Sequence, residues 1–229
     1  PPYHGCLENY IAFPENMCFK LPDNVSTKEG ALVEPLSVGI HAARQGNVSL
    51  GDRVIILGAG CIGLVTVLAC KAFGASEIIV SDILPKRLEF AKKVGATHVI
   101  NSAESDVFKE IEALTGGEGA DIVIETAGSS VTYSQTPYFV KRGGTIVLVG
   151  MAADDIIKFN FAKLMGKEAH IKTVFRYRNI YPQAINAISQ GLIDVSPIVT
   201  HEFDFEDAAK AFDFVINNKN DVVKAVIKL

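Results

Sequence analysis

Several features that define large classes of proteins are missing from this 229-residue sequence. It has no tryptophan, and its four cysteines, Cys6, Cys18, Cys61 and Cys70, form no Cys-x-x-Cys pair. Zinc fingers and disulfide frameworks depend on closely spaced cysteines, so we expect neither. Isolated thiols of this kind are typical of small buried groups in a reducing compartment, which predicts a cytoplasmic protein.

Charge blocks and long apolar runs are also missing. No block of five or more like charges occurs, and the net charge is −4 at pH 7. Nucleic acids and anionic membranes are bound by clustered Lys and Arg, so neither is an expected partner. No apolar run approaches the roughly 18 residues of a membrane-spanning helix. The opening PPYHG has no signal-peptide pattern and no initiator Met, so we expect a chain cut from a longer one.

What is present is an ordinary globular composition with a repeating pattern. From residue 51, short runs of β-branched residues alternate with amphipathic stretches. The predicted strands are 53–57, 78–81, 99–100, 122–125, 145–149 and 171–175, and the predicted helices between them are 61–73, 85–94, 107–114 and 131–140. Continuous Val/Ile runs bounded by Gly are typical of strands buried on both faces. The alternation predicts an α/β fold with a doubly wound parallel sheet.

The two ends of the chain lack this alternation. Before residue 35 we predict strand-like pieces at 7–13 and 17–21. After residue 150 we predict a loop, helices at 161–166, 182–190 and 206–217, and strands at 198–203 and 223–228. We therefore expect residues 36–175 to form one domain, and residues 1–35 and 176–229 to belong to another.

A glycine-rich hexapeptide follows the first predicted strand and opens the first predicted helix. Its residues are Gly58, Ala59, Gly60, Cys61, Ile62 and Gly63. In this context Gly58 permits a tight turn, Gly60 lets a diphosphate approach the backbone, and Gly63 lets the helix pack on the strand. The positive end of the helix then holds the diphosphate. The motif predicts a Rossmann dinucleotide site.

An acidic residue is expected at the end of the next strand, about 20 residues further on. Asp82 stands 19 residues after Gly63. Its carboxylate can accept hydrogen bonds from both adenosine ribose hydroxyls and would repel a 2′-phosphate, which favours NAD over NADP. Arg87 could lie over the adenine or reach the ribose, and it weakens this exclusion slightly.

Two alternatives stay open for this motif. The glycines and Asp82 could simply close a βα connection, or the sheet could belong to a Rossmann-like methyltransferase. The nicotinamide of a dinucleotide should lie at the carboxyl ends of the fourth to sixth strands. The cofactor-binding residues expected at those ends are Ala127, Gly128, Val149, Gly150, Met151, Val174, Phe175 and Arg176.

Other segments resemble zinc-dependent medium-chain polyol dehydrogenases, such as sorbitol and xylitol dehydrogenases. Residues 31–42, ALVEPLSVGIHA, are similar to the segment that joins the catalytic and cofactor domains there. Residues 20–25 (KLPDNV), 174–177 (VFRY) and 199–201 (VTH) are similar too. The resemblance covers essentially the whole chain.

The resemblance implies an enzyme with a Rossmann domain and a GroES-like, β-rich catalytic domain, to which residues 1–35 and 176–229 would belong. It implies that a secondary alcohol of a polyol is oxidised to a ketose with NAD, zinc acting as a Lewis acid on the alcohol oxygen. Glu34 matches a metal-site glutamate, and Arg176 and Tyr177 match residues that contact substrate. It also implies a homodimer or homotetramer, and the predicted edge strand 171–175 could pair with another subunit.

The sequence lacks most of the zinc ligands of that family. The other zinc ligands, a Cys and a His-Glu pair, would lie upstream of this segment, and a catalytic zinc needs three protein ligands. Taken alone, Glu34 at a helix start is as readily a partner of the helix dipole. Three hypotheses remain: part of a zinc polyol dehydrogenase, a non-catalytic NAD-binding module, or a zinc-free reductase of the same superfamily.

Overall fold

A computed structural model gives the fold and describes residues 5–229. Of the opening PPYHG, only Gly5 is described. The expectation that this opening is not a signal peptide therefore lies almost wholly outside the described residues, and so do the first four residues of the predicted segment 1–35. No helix in the described part of the chain is long and apolar enough to cross a bilayer.

Six parallel strands form the central sheet in the order β3-β2-β1-β4-β5-β6. They are β1 (Arg53–Leu57), β2 (Glu77–Asp82), β3 (His98–Asn101), β4 (Ala120–Glu125), β5 (Val140–Leu148) and β6 (His170–Thr173). The order reverses at β1, which pairs with both β2 and β4. The predicted doubly wound parallel sheet is confirmed.

Nine α-helices accompany the strands in the described residues. They are α1 (Thr27–Gly30), α2 (Val33–Gly46), α3 (Cys61–Ala72), α4 (Pro85–Val94), α5 (Val107–Thr115), α6 (Ser130–Phe139), α7 (Phe161–Lys167), α8 (Tyr181–Ser189) and α9 (Ala208–Asn217). Capping explains several boundaries: Asp106 accepts backbone N–H groups at the start of α5, and a left-handed Gly95 ends α4.

Alternate residues of each central strand enter two different apolar cores. Val54 and Ile56 of β1 pack with α2 and α3 on one face, whereas Ile55 and Leu57 pack with residues of α5 and β5 on the other. Because a strand's side chains alternate between faces, a sheet covered on both sides needs unbroken apolar runs. Each such Ile or Leu contributes about 1.5–3 kcal/mol by burial.

The two predicted strands before residue 35 are wrong. Residues 7–13 and 17–21 form no strand, and a 3₁₀ helix at Glu15–Met17 overlaps the start of the second segment. Tyr10 and Phe13 are exposed there. A strand needs a neighbour for its backbone groups, and the described residues offer these segments none. Their β-branched and aromatic content therefore does not decide their structure.

The prediction that the tail after residue 175 abandons the βα alternation is wrong, because helices and strands still alternate there. Its strands nevertheless stay out of the central sheet. β7 (Val199–Asp204) and β8 (Lys224–Lys228) form a separate two-stranded parallel sheet. Helix α8 packs against α2, and its Ala184 and Ile188 belong to the same core as Leu36. The domain boundaries at 35 and 175 stay a prediction.

Helices α2 and α3 touch backbone to backbone, which yields a stability prediction. A Cβ atom at Gly39 would lie 2.7 Å from the carbonyl oxygen of Val65. We expect Gly39→Ala to lower the free energy of unfolding by about 1–2 kcal/mol, because the cost of overpacking exceeds the helix propensity that alanine gains. Urea unfolding followed by circular dichroism measures this.

Gly166 in α7 is the matched control, since a Cβ there meets nothing within 4 Å. Gly166→Ala should leave stability unchanged or raise it by up to ~1 kcal/mol. Equal effects of the two substitutions would contradict a backbone contact between α2 and α3.

Candidate dinucleotide-binding site

The loop between β1 and α3 is shaped by two glycines. Gly58 has a φ of 105°, and a Cβ there would lie 2.9 Å from the backbone nitrogen of Ala127. A Cβ at Gly63 would lie 2.0 Å from the carbonyl oxygen of Gly58. No side chain fits at either position, so the turn and the helix–strand contact both require glycine.

Gly60 borders open space at the start of α3. Among residues 5–229, and apart from the adjoining backbone, the only atom within 4 Å of a Cβ built there is Nη1 of Arg87, at 3.9 Å. Gly60 is the N-cap residue, so the first N–H groups of the helix, including those of Cys61 and Ile62, have no partner within the helix. Such a helix end attracts anions, and here it meets an open surface beside a guanidinium.

Asp82 ends β2 beside this loop. Its Oδ2 accepts the Ala59 N–H at 2.7 Å, and its Oδ1 accepts the Leu84 N–H at 2.9 Å. Each carboxylate oxygen has a second lone pair, so the group can still accept hydrogen bonds from a ligand. The two backbone contacts hold the carboxylate at the mouth of the loop.

A second cation reaches this loop from the far end of the chain. The charge of Lys224, the first residue of β8, acts on the Cys61 thiol. Arg87 donates through Nη2 to the Lys219 carbonyl at 3.3 Å, while its Nε is buried and finds no partner among the residues that the structure describes. Sequence reasoning missed Lys224, because no local motif marks a residue that only the tail sheet brings to the loop.

Cys61 is less reactive than its position suggests. The dipole of α3 would lower the pKa of a thiol at its N-terminus. Burial raises the pKa of Cys61 instead; the charge of Lys224 lowers it and that of Glu34 raises it further. This favours the simpler interpretation of Cys61 as a small residue that fills the loop.

The loops after β4 and β5 lie against each other. Gly128 has a φ of 67°, and a Cβ there would lie 2.5 Å from the carbonyl oxygen of Met151. A Cβ at Gly150 would lie 2.2 Å from the Gly128 nitrogen. The N–H groups of Val149 and Gly150 both donate to the Glu125 carbonyl. The structure therefore brings together the predicted residues of these two strand ends, and Ala127 adjoins Gly58.

The segment after β6 is placed differently. Val174 is buried and donates to the Leu148 carbonyl, whereas the Phe175 side chain is 76% exposed. The Arg176 guanidinium lies over the Phe175 ring, 5.1 Å from its centroid. Phe175 and Arg176 therefore face outward among the described residues. Packing within this chain does not place them against the other residues predicted to bind the cofactor.

Tyr177 and Glu34 are neighbours, although 143 positions separate them in the sequence. The Tyr177 and Tyr181 hydroxyls are 2.9 Å apart, and the tyrosine rings pack at 5.2 Å. Burial raises the pKa of Tyr177, and so do the hydrogen bond to Tyr181 and the charge of Glu34. Glu34 lies in the first turn of α2 and is exposed.

These neighbours do not make up a metal site. In the part of the chain that the structure describes, no three His, Cys, Asp or Glu side chains converge in a way that could hold a metal ion. A catalytic zinc takes three protein ligands and one open position. Glu34 supplies one carboxylate, so residues 5–229 do not fit a zinc ion by themselves.

Comparison with known proteins bears on this arrangement. A sorbitol dehydrogenase of Bacillus subtilis strain 168 is 39% identical over 227 residues, which are 99% of this chain and 64% of that protein. The solved structure of an Escherichia coli oxidoreductase/dehydrogenase of unknown specificity, ECK1772, is 51% identical with a TM-score of 0.95, over 100% of this chain and 65% of that one.

A third relative was solved with NADH. It is an Escherichia coli CFT073 alcohol dehydrogenase, rspB, at 26% identity and a TM-score of 0.89, over 95% of this chain and 64% of that one. This chain thus spans about two thirds of the length of such relatives. The family model described as zinc-binding dehydrogenase matches residues 61–190, more than half of the chain. The chain belongs to the zinc-binding dehydrogenase family.

Proposed function

We propose that this chain binds NAD(H) and forms the coenzyme-binding part of an NAD-dependent polyol dehydrogenase. The observation that carries the proposal is the pairing of Asp82 with the open N-terminus of α3 across the loop at Gly60. A carboxylate for ribose hydroxyls and a helix end for a diphosphate are the two features that a dinucleotide needs at adjacent strand ends.

The charges beside the loop support one orientation of the dinucleotide. Its diphosphate would lie over Gly60, at the positive end of α3 and within reach of Arg87 and Lys224. Asp82 would accept the adenosine ribose hydroxyls, with Arg87 on the adenine side. A 2′-phosphate would meet the Asp82 carboxylate, which supports NAD over NADP.

The nicotinamide would then lie at the touching loops that contain Gly128 and Gly150. The bound coenzyme would supply the hydride acceptor for oxidation of the substrate's alcohol carbon. The chain would contribute the surface on which the ring lies, formed by two loops whose backbones are in close contact at Gly128 and Gly150. Arg176 and Tyr177 would contact the substrate hydroxyls, as in the polyol dehydrogenases that the sequence resembles.

The metal belongs to the longer protein in this proposal. Glu34 would supply one zinc ligand directly or through water, and the remaining ligands would come from the part of the relatives that this chain does not span. We therefore assign no chemical step to zinc on these residues. A metal analysis of the longer protein separates this proposal from a zinc-free reductase of the same superfamily.

Strand β6 offers an interface through which two copies of the chain could pair. Within residues 5–229 it pairs only with β5, so His170–Thr173 form the edge of the sheet. An exposed edge can pair with the same edge of another copy around a twofold axis. We propose that the protein forms a homodimer or homotetramer and that it works in a reducing, cytoplasmic compartment. Size-exclusion chromatography with light scattering would measure the oligomeric state.

Replacing Asp82 tests the coenzyme preference. Asp82→Ala removes two charge-assisted hydrogen bonds to the ribose, so NADH should bind about 10- to 100-fold more weakly. NADPH should bind no more weakly than before, because the repulsion is gone. Isothermal titration calorimetry of both coenzymes measures the change.

Asp121 is the matched control. It lies on the same sheet but at the amino end of β4, where it accepts the Arg53 N–H at 2.9 Å and pairs with Lys141. Asp121→Ala should lower stability and leave NADH affinity unchanged. An Asp82→Ala chain with unaltered affinity and unaltered NADH/NADPH preference would remove the role proposed for Asp82.

The chain itself should bind NADH but should not catalyse the reaction. With one carboxylate in place of a three-ligand zinc site, the 229-residue chain should bind NADH in calorimetry and show no NAD reduction with xylitol or sorbitol. The longer protein should reduce NAD with one of them and lose that activity on chelation. Turnover by the chain alone, or chelator-insensitive turnover by the longer protein, contradicts this division of roles.

Thiol labelling locates the diphosphate. At pH 8 an alkylating reagent should modify the exposed Cys6 and Cys18 first and Cys61 at least tenfold more slowly. Cys70 should react last, because burial raises its pKa to about 12. Saturating NADH should slow Cys61 further without changing Cys6 or Cys18. Peptide mass spectrometry reads each site, and equal labelling of Cys61 with and without NADH contradicts a diphosphate over this helix end.

A further inference from the structure

One buried carboxyl group has no part in the site described so far. Glu125 is the last residue of β4 and has no exposed surface. Its position at the carboxyl end of the strand places it directly beneath the loops after β4 and β5. Carboxyl groups are costly to bury, so each one that is fully enclosed calls for a physical reason.

One oxygen of Glu125 gathers three donors. Oε1 accepts the N–H groups of Ala127 and Gly128, both at 2.9 Å, and the hydroxyl of Thr132 at 2.7 Å. The first two donors lie in the loop after β4, and Thr132 lies in the first turn of α6. The carboxyl group therefore fixes this loop from below, in the conformation that gives Gly128 its positive φ.

The other oxygen faces the second loop. Oε2 is buried, has no hydrogen-bond partner in the described part of the chain, and lies 2.7 Å from the position of a Cβ at Gly150. The Tyr133 hydroxyl of α6 donates to the carbonyl oxygen of the same Gly150. Gly150 is thus enclosed between a carboxyl oxygen, a phenol and the Gly128 backbone, which sets its distance from the first loop.

Stability alone does not explain this arrangement. Burial raises the pKa of Glu125, against the hydrogen bonds from Thr132 and from the backbone of residues 127–129, which lower it. An unsatisfied buried oxygen costs about 1–3 kcal/mol, and an apolar residue of similar size would avoid that cost. Costly polar groups that set backbone conformation are a recurring feature of binding sites.

We propose that Glu125 is a positioning residue that holds the loops 126–129 and 149–151 in the conformation that receives the nicotinamide half of the coenzyme. It acts through the backbones of Ala127, Gly128 and Gly150, without itself touching the ligand. The inference rests on the proposed function, because the nicotinamide is assigned to these loops there.

Two ligands separate the two halves of the coenzyme site. ADP-ribose carries the parts assigned to Asp82 and Gly60 but lacks the nicotinamide, whereas NADH carries both. In calorimetry, Glu125→Ala should bind NADH at least tenfold more weakly and ADP-ribose within twofold of the unaltered chain. Glu125→Gln keeps an acceptor at Oε1, so it should restore NADH affinity to within about threefold.

Thr132→Val is a second variant that leaves the carboxyl group intact and serves if Glu125→Ala fails to fold. It removes one of the three donors to Oε1, and it should weaken NADH binding about threefold and leave ADP-ribose binding unchanged. A residue that only supports the fold would lower the melting temperature and leave the ratio of the two affinities unchanged.

The outcomes distinguish this inference from the proposed function. An unaltered chain that binds neither ligand refutes the proposed function. An unaltered chain that binds both equally, or variants that lose NADH and ADP-ribose affinity in parallel, refute the role of Glu125 and leave coenzyme binding standing. A selective loss of NADH affinity that glutamine restores supports it.

Discussion

The Gly58 carbonyl oxygen lies where a side chain at residue 63 would begin, 2.0 Å from the Cβ position. This backbone contact seats the first turn of α3 against the end of β1, and much of the site depends on it. A helix held further away would not point its N–H groups over Gly60, nor leave Ala59 within 2.7 Å of the Asp82 carboxylate. Because backbone atoms on both sides make the contact, no change of rotamer can restore it once a side chain is added.

The reversal of strand order supplies the other half of the site. β1 and β4 are neighbours in the sheet, but α3 after β1 covers one face, whereas α6 after β4 ends at Phe139, which packs in the core of the other face. Loops that diverge to opposite faces leave a crevice above the carboxyl ends of the strands. Here the crevice is narrow, because Gly58 and Ala127 are in contact across it and Gly128 and Gly150 continue the contact toward β5. In the proposed function, the placement of the coenzyme would thus follow from topology, and its fine positioning from glycine backbones.

Local sequence patterns predicted the bounds of those elements whose pattern has clear ends. The bounds of β1 and α4 agree with the pattern residue for residue, because an unbroken apolar run and a Pro-started amphipathic run each have clear ends. Residues 7–13 have the same β-type composition as a strand but no partner, so composition misled there. Lys224 and Glu125 were missed for a different reason. One reaches the loop only through the tail sheet, and the other reads as an ordinary polar residue at the end of a strand until the glycine loops enclose it.

Charge is distributed along the crevice in a way that matches the parts of a dinucleotide. Cations and a helix N-terminus lie where a diphosphate would be, and the Asp82 carboxylate lies where ribose hydroxyls would be. Glu125 is the acid beneath the loops after β4 and β5, which we propose receive the nicotinamide. An ionised carboxylate beneath the ring would favour the positively charged oxidised coenzyme over the neutral reduced one. Burial raises the pKa of Glu125 and so weakens that preference, while Oε1 accepts its three donors in either protonation state. A buried acid can therefore order these loops with less bias toward one oxidation state than an exposed carboxylate would impose.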